Sequence, residues 1–526
     1  MKRPLLKVNT WDRFVGITNP EKALRQAKAR TALNFMAGTV SRTGAGTKGT
    51  LGNWFVRRLS RFTESWERTR TTDRAEDLIA NNPYAASIVD STALNVVGGT
   101  GLIPQSRPNW KVLGITEEQA QAISDQAEYW FNVWADRAGA EGEKFADLQY
   151  TTMHTMVGRG EYLNLPVSLE TGPNRDFNLA IQILDPRRLR TPYSAAVDPF
   201  VRDGIKLSPR GEKLIYYIAN PDDGLLTVNL NSNQFEPVPA WRAHRPGILH
   251  GFIKKDPEQV RGLPSLATCM KQFRDFDDYM DFEVVGAILA ASFPVFIETP
   301  DGDEPEDYIG ETEAGGTLDR PVKYKSYEPG QVMYGSAGQK PSVLKSERPG
   351  NSFPIFVEVM QRMFGVAGLL PYEIVTKDFS KTNYSSAKAA LNEAYRIFML
   401  YIWHLINHHN HPIWSMVFEE SWLRGRIKLP KSAPDFYQAR AAYCAAKWIP
   451  PKRMVLDEVK QVAAGKEEII SNMGTLADWY AEQGEDWQEQ LRQIARERQV
   501  MKELGLTMAD MPGFDLKGLA TQPERQ

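Results

Sequence analysis

The stretch LLPYEIVTKDFSKTNYSSAKAALNEAYR, residues 369–396, changes character in its middle. After Pro371-Tyr372-Glu373, the run Lys377 to Asn383 (KDFSKTN) is rich in Asp378, Ser380, Thr382 and Asn383, which favour turns over continued helix. Asn383, Ser385 and Ser386 then stand where a helix needs side-chain caps. From about residue 384, Ala387, Leu391, Ala394, Phe398, Tyr401 and Leu405 recur every three or four residues, which predicts one long helix, and His408 extends the stripe. The helix runs into HLINHHNHP, 404–412. Pro412 disfavours helical geometry at His411 and suits a first helical position, so a kink or restart is predicted there, with His411 leaving the face of His404 and His408.

Outward from this stretch the pattern predicts an α+β, helix-rich fold. Helical periodicity covers about 73–97, interrupted near Asn82-Pro83, and about 116–138, starting at Thr116 and carrying Tyr129, Trp130, Phe131 and Trp134. Between about 160 and 253 the period turns strand-like in EYLNLPVSL, FNLAIQIL, KLIYYIA and GILHGFI, separated by Asn, Asp, Pro and Gly. Helix returns at 264–292 and 353–366, with short strands and turns at 293–351, and a polar helical segment with Trp479 and Trp487 follows later.

The chain has 526 residues, 42% hydrophobic and 24% charged, enough for a folded protein of several domains. Cys269 and Cys444, far apart, make neither a disulfide framework nor a multi-cysteine metal site, and suit a reducing compartment. MKRPLLKVNTWDRF has no apolar core, so no secretory signal is predicted. The apolar run VVGAILAASFPVFI, 284–297, is interrupted by Pro294 and falls short of the ~20 residues that span a bilayer, so we expect a soluble protein with this run buried or packed on another chain. Net charge is −2, yet residues 1–74 hold 16 Lys/Arg against 5 Asp/Glu. Such a basic arm, joined by the Gly/Thr-rich 38–52, suits an acidic or polyanionic partner or simply a solvated tail.

Motifs for catalysis fail one by one. GAGTKGT lacks the Gly-Lys-Ser/Thr of a phosphate loop, so no nucleotide hydrolysis is expected of this chain. GGTGLIP follows a helical pattern, not a strand, and reads as a turn. Ser385 and Lys388 have serine–lysine spacing without companion motifs. The loop Asp301 to Glu313 lacks the sixth-position glycine of a calcium loop. Asp277, Asp278, Asp281 and Glu283 resemble a two-metal nuclease set only until a second ligand group is sought. In the histidine run, Leu405 stands where a zinc peptidase has its glutamate base. No catalytic residue, cofactor or metal is expected. The alternative is a metal-dependent hydrolase or nuclease using His404–His411 or the acidic helix 275–283.

NNPYAASIVDSTALNVVGGTGLIPQ (81–105), QVRGLPSL (259–266) and above all residues 369–396 resemble the lambda-type portal proteins of tailed bacteriophages. The most specific matches are Pro371-Tyr372-Glu373 and Asn383 to Ser386; the extra glycine in Gly98-Gly99-Thr100-Gly101 is a departure. The resemblance implies a homo-oligomeric ring of about twelve copies at one capsid vertex. It would be the channel for double-stranded DNA in packaging and ejection, meeting terminase, major capsid and scaffold proteins, and head-completion or tail connector proteins, with no membrane. The subunit would be made in the bacterial host cytoplasm and end in the virion. It also implies regions: a basic arm and linker at 1–72, an α+β wing at 73–260, stem helices at 261–292 and 352–370 flanking a clip at 293–351, a tunnel loop at 371–383, a long kinked wing helix at 384–430, and a helical crown at 431–526. Lys377, Asp378, Phe379, Ser380, Lys381, Thr382 and Asn383 would then be a mobile loop touching DNA. Asp277, Asp278, Asp281 and Glu283 would line the channel, keeping contacts to phosphate weak.

Overall fold

Asn82 ends one helix and caps the next. In the computed structural model, which describes residues 15, 20–28, 61–220, 235–291, 295–298, 332–335, 352–452 and 458–505, helix α1 (Arg61–Asn81) gives way to α2 (Pro83–Val97). The Asn82 side chain accepts from the backbone N–H groups of Tyr84 and Ala85, and Pro83 sits in the first turn, where its missing N–H costs nothing. The chain divides into Met1–Glu64 and Ser65–Gln526. In the first unit residues 20–28 are helical; the linker 38–52 lies outside the described residues. Helix α1 begins at Arg61, within the stretch 1–72 expected to be arm and linker, and both Arg68 and Thr72 are buried.

After β1 (Ile103–Ser106), Thr116 and Gln119 form a reciprocal capping box at the head of α3 (Glu117–Ala135). Helix α4 (Phe145–Arg159) ends at Gly160, φ +92, and leads into β2 (Tyr162–Ser168) and β3 (Leu179–Leu184). Strands β4 (Val201–Arg202), β5 (Ile205–Leu207), β6 (Lys213–Ala219) and β7 (Phe235–Pro239) form an antiparallel sheet in that order. A tight hairpin, β8 (Trp241–Arg242) and β9 (Arg245–Pro246), precedes β10 (Leu249–Gly251), which pairs with β2 to give the antiparallel sheet β10-β2-β3.

Strand alternation gives this sheet two different neighbours. Tyr162, Leu179 and Ile181 join the main helical core, while Leu163, Leu165 and Leu184 join a second core with Ile205, Tyr216, Ile218 and Val238 of the four-stranded sheet.

The remaining helices are α5 (Met270–Ala291), α6 (Phe353–Gly368), α7 (Tyr372–Thr376), α8 (Tyr384–Leu405), α9 (His411–Leu423), α10 (Glu458–Ile470), α11 (Leu476–Glu482) and α12 (Trp487–Leu504). Between α5 and α6, β11 (Val295–Glu298) pairs in parallel with β12 (Val332–Gly335); the acidic loop 301–313 lies outside the described residues. Phe273 of α5 stacks on Phe364 of α6 at 4.0 Å, and each fully buried phenyl contributes about 1.5–3 kcal/mol. Part of the stretch 431–526, expected to be a helical crown region, packs into the main core. Strand β13 (Ala446–Ile449) pairs with β1, and Phe436, Tyr443 and Trp448 are part of the main core. The pairing spans over three hundred residues of sequence, so no local pattern announces it.

Candidate functional site

The loop after α7 is built from its two ends. Helix α6 stops with Leu369 in the left-handed region, φ +58, and the N–H of Leu370 returns to the carbonyl of Gly365 at 2.8 Å. Pro371 then starts α7, which stops the same way at Lys377, φ +58. Ser87 of α2 donates to the Val375 carbonyl at 2.8 Å, tying this short helix to the core. On the far side Asn383 caps α8 with Ser386 as its reciprocal partner. The capping role expected of Asn383 is therefore present, with Ser386 rather than Ser385 completing it.

Between these anchors Asp378 accepts from the Ser380 N–H at 2.9 Å, and Thr382 donates its hydroxyl to the Phe379 carbonyl at 2.8 Å. Those bonds to Ser380, and then the charge of Lys381, hold the Asp378 carboxyl below its usual range. Both lysines have partners in the chain. Lys377 Nζ donates to Ser91 Oγ at 2.9 Å, and Lys381 Nζ to Glu358 Oε2 at 2.8 Å, where Arg362 also reaches Glu358 at 2.7 Å. Phe379 and Lys381 stay exposed.

Asp277, Asp278, Asp281 and Glu283 of α5 do not form one face. Helical geometry turns about 100° per residue, so Asp277 and Asp281 share a side while Glu283 points elsewhere. Asp277 accepts from Asn82 Nδ2 at 2.7 Å; burial raises its carboxyl, against the lowering effect of that bond. Asp278 pairs with Arg274 at 3.0 Å, Asp281 is exposed, and Glu283 is only 6% exposed. Within the single chain Glu283 is buried and Asp277 is engaged by the cap of α2.

The histidine turn differs from a simple kink. Pro412 has no N–H for the carbonyl of His408, and the chain widens into a π-helical turn at Ile406–Asn410, closed by His411 N–H to the Ile406 carbonyl. The wide turn moves the buried stripe, so that His409 and Asn410 enter the core while His408, expected to continue the stripe, faces out. Pro412 does occupy the first turn of α9. His409 Nε2 lies 2.9 Å from Asn164 Nδ2 and Nδ1 2.7 Å from Asn410 Oδ1, and its ring stacks on Phe145. An acceptor Nε2 and a protonated Nδ1 satisfy both contacts. Burial pushes His404 and His409 down to about 4. Among the described residues no three His, Cys, Asp or Glu side chains converge as a metal would need.

Sequence reasoning missed a buried chain of charges behind β2. Arg261 grips Glu161 through Nε at 2.9 Å and Nη2 at 2.5 Å, and spends its other N–H groups on the carbonyls of Pro186, Leu189 and Asp203. His250 Nε2 lies 3.0 Å from Glu161, and Lys213 Nζ lies 3.0 Å from His250 Nδ1. Arg68 closes the other end on Asp203 at 2.6 Å. Burial alone would raise the Glu161 carboxyl, but Arg261 and His250 outweigh it and hold it well below the usual range. Burial and Lys213 push His250 down to about 3, so it is neutral and relays a hydrogen bond. The turn that delivers Arg261 demands glycine: a Cβ on Gly262 would overlap the Gly160 carbonyl. The available signal was a set of ionisable residues embedded in strand-like runs, Glu161 before YLNLP, Lys213 before LIYYIA and His250 inside GILHGFI.

The chain matches the family described as phage portal protein, lambda family, over residues 47–401, more than half its length. It is 26% identical over 473 residues to the portal protein of Escherichia phage N15, across 83% of this chain and 85% of that protein. It is 24% identical over 461 residues to portal protein B of Escherichia phage lambda, with the same 83% and 85% coverage. Solved structures similar to it include the neck of a native gene transfer agent particle, at 16% identity and TM-score 0.36, covering 76% of this chain and 89% of that one. The virion of the native particle is similar at 15% identity and TM-score 0.36, covering 84% and 94%. The family match includes the loop 377–383 and stops short of the histidine turn.

Proposed function

The chain belongs to the lambda family of phage portal proteins, and we propose that it closes into a ring at one vertex of a capsid, a channel for double-stranded DNA during packaging and ejection. The family match along the chain is the observation that carries this reading. Terminase on one side, head-completion and tail proteins on the other, and capsid and scaffold proteins around the rim are the partners it needs. Synthesis in the host cytoplasm precedes assembly into the virion. Helices α5 and α6 are the stem, residues 293–351 the clip, and residues 431–526 the crown.

The exposed faces suit this role. Phe282, Val284, Val285 and Ile288 of α5, and Ile355, Val359 and Val366 of α6, are solvent-facing in the single chain. Among the described residues no helix is long and apolar enough to cross a membrane. Apolar area of this kind is what a head-to-tail ring contact between copies buries.

The loop 377–383 is the DNA-handling element. Each lysine must leave Ser91 or Glu358 to meet a phosphate, so a single subunit holds DNA weakly and a ring holds it by number. Relatives named for the portal support a structural role without turnover, and among the described residues nothing at the histidine turn or on α5 favours the hydrolase alternative. Negative-stain imaging and native mass spectrometry of the purified protein should give closed rings of about twelve subunits. Monomers alone, at all concentrations and salts, would overturn the proposal.

A further inference from the structure

Lys213 opens β6 at the wall of a cavity of about 720 Å³, bounded also by the β8–β9 hairpin, by the outward His408 of the π turn and by the half-buried His411 at the start of α9. A volume of that order suits a small molecule and is too small for duplex DNA. Its charge balance is one-sided. Lys213 Nζ donates to the neutral His250 ring at 3.0 Å and lies over the Phe252 ring at 5.0 Å. Among the described residues it has no carboxylate at ion-pair distance: Glu161 acts on it from beyond His250 and is held by Arg261.

The other groups lining the cavity repeat this. Arg440 reaches Glu419 with Nη2 at 3.3 Å, but that carboxylate is shared with Arg245 and the Tyr437 hydroxyl, and Arg440 Nε is buried without an acceptor. Among the described residues Glu212 is the one acid lining the cavity, and it is exposed. Burial lowers Lys213 to about 8, with Arg261 and Lys254 acting the same way and Glu161 opposing. Burial, then Lys213, lowers His408; burial, then Arg440, lowers His411. A desolvated cation without a partner is costly, and an anion entering the cavity removes that cost.

We propose that this cavity binds a small oxyanion carried on a flat apolar body, its charged end at Lys213 and Arg440 and its body against Trp241 and Tyr216. Aryl and nucleoside monophosphates and aromatic carboxylates share this chemistry. Binding requires the ammonium form of Lys213, so affinity is full below pH 8 and falls as pH rises above it.

Calorimetric titration of the assembled protein with phenyl phosphate, benzoate and inorganic phosphate tests this. The expected result is one saturable site per chain, with phenyl phosphate or benzoate binding at least about tenfold tighter than inorganic phosphate. The preferred organic anion identifies which charged end the site takes. Affinity should drop about tenfold or more at pH 9.5 and in Lys213→Met, and largely survive in Lys213→Arg. Lys213→Met removes an unpaired charge and should melt no lower than wild type. If it misfolds, Lys213→Gln and the wild-type pH series still decide. No saturable heat, or binding indifferent to pH and to loss of the lysine, overturns the proposal.

Discussion

The loop after α7 and the wall behind β2 both carry basic side chains and carboxylates, and they use them in opposite ways. At the loop, Lys381 and Glu358 meet at 2.8 Å with the lysine side chain 65% exposed. Solvent screens such a pair, and forming or breaking it changes little. Behind β2, Glu161 and Arg261 are almost without solvent, at 1% and 2%, and every hydrogen bond they make is to protein. There the cost of desolvation has been met by geometry, and losing one partner strands the other. A surface pair can open readily, as the DNA-handling role proposed for the loop requires, and contacts that fix two sheets and α1 belong inside.

The largest test of that contrast is Arg261→Met. Glu161 would remain buried with His250, one backbone N–H and Arg68 at 3.7 Å, and the expected loss is about 3 kcal/mol in thermal or denaturant unfolding. The double variant Glu161→Gln with Arg261→Met should recover much of it. If Arg261→Met melts with wild type, the buried pair is no different in kind from the surface one.

Acid sharpens the same point in two windows. His404 and His409 titrate near 4 in the folded chain against an ordinary 6.5, so the unfolded chain takes up their protons first and stability falls between those values. Glu161, held below its ordinary 4.5, contributes stability that is present above that value and lost as pH falls further. Unfolding followed from pH 7 to 3 should show both declines, with His250, held down to about 3 beside Glu161, adding to the first, and Glu161→Gln should flatten the lower one most.

Asn82→Ala is expected to cost about 1 kcal/mol, because the side chain caps α2 and also meets Asp277 of α5. A loss indistinguishable from zero in chemical denaturation would mean that the cap is solvated at no penalty. At the small end, Lys377→Gln with Lys381→Gln should leave the melting midpoint and ring assembly unchanged while impairing DNA packaging or retention. Full retention of a genome by that variant would leave the loop only its capping role.

Much of the fold is legible because its signals are local. Asn82-Pro83 and Thr116 mark helix starts through backbone N–H groups a few residues away, and YLNLPVS and KLIYYIA carry strand patterns in their own order. The loop 377–383 is legible for the same reason, since its turn residues and the cap at Asn383 lie side by side. That α1 starts at Arg61 and that Phe436 to Trp448 belong to the core are not legible, because both rest on contacts with distant segments.

The sequence by itself determined the family, the helix caps, the strands around 160–253 and the absence of a recognisable phosphate loop. It located every ionisable residue without saying which would share a desolvated space. Tertiary structure decided that His409, not His408, enters the core, because the turn before Pro412 widens by one residue. It decided that Glu283 is buried while Asp281 is exposed. It also left Lys213 beside a cavity without an acid of its own, because the one carboxylate behind it is claimed by an arginine 100 residues further along the chain. Pairing of charges depends on distance and desolvation in space, and neither is written in the spacing of residues along the chain.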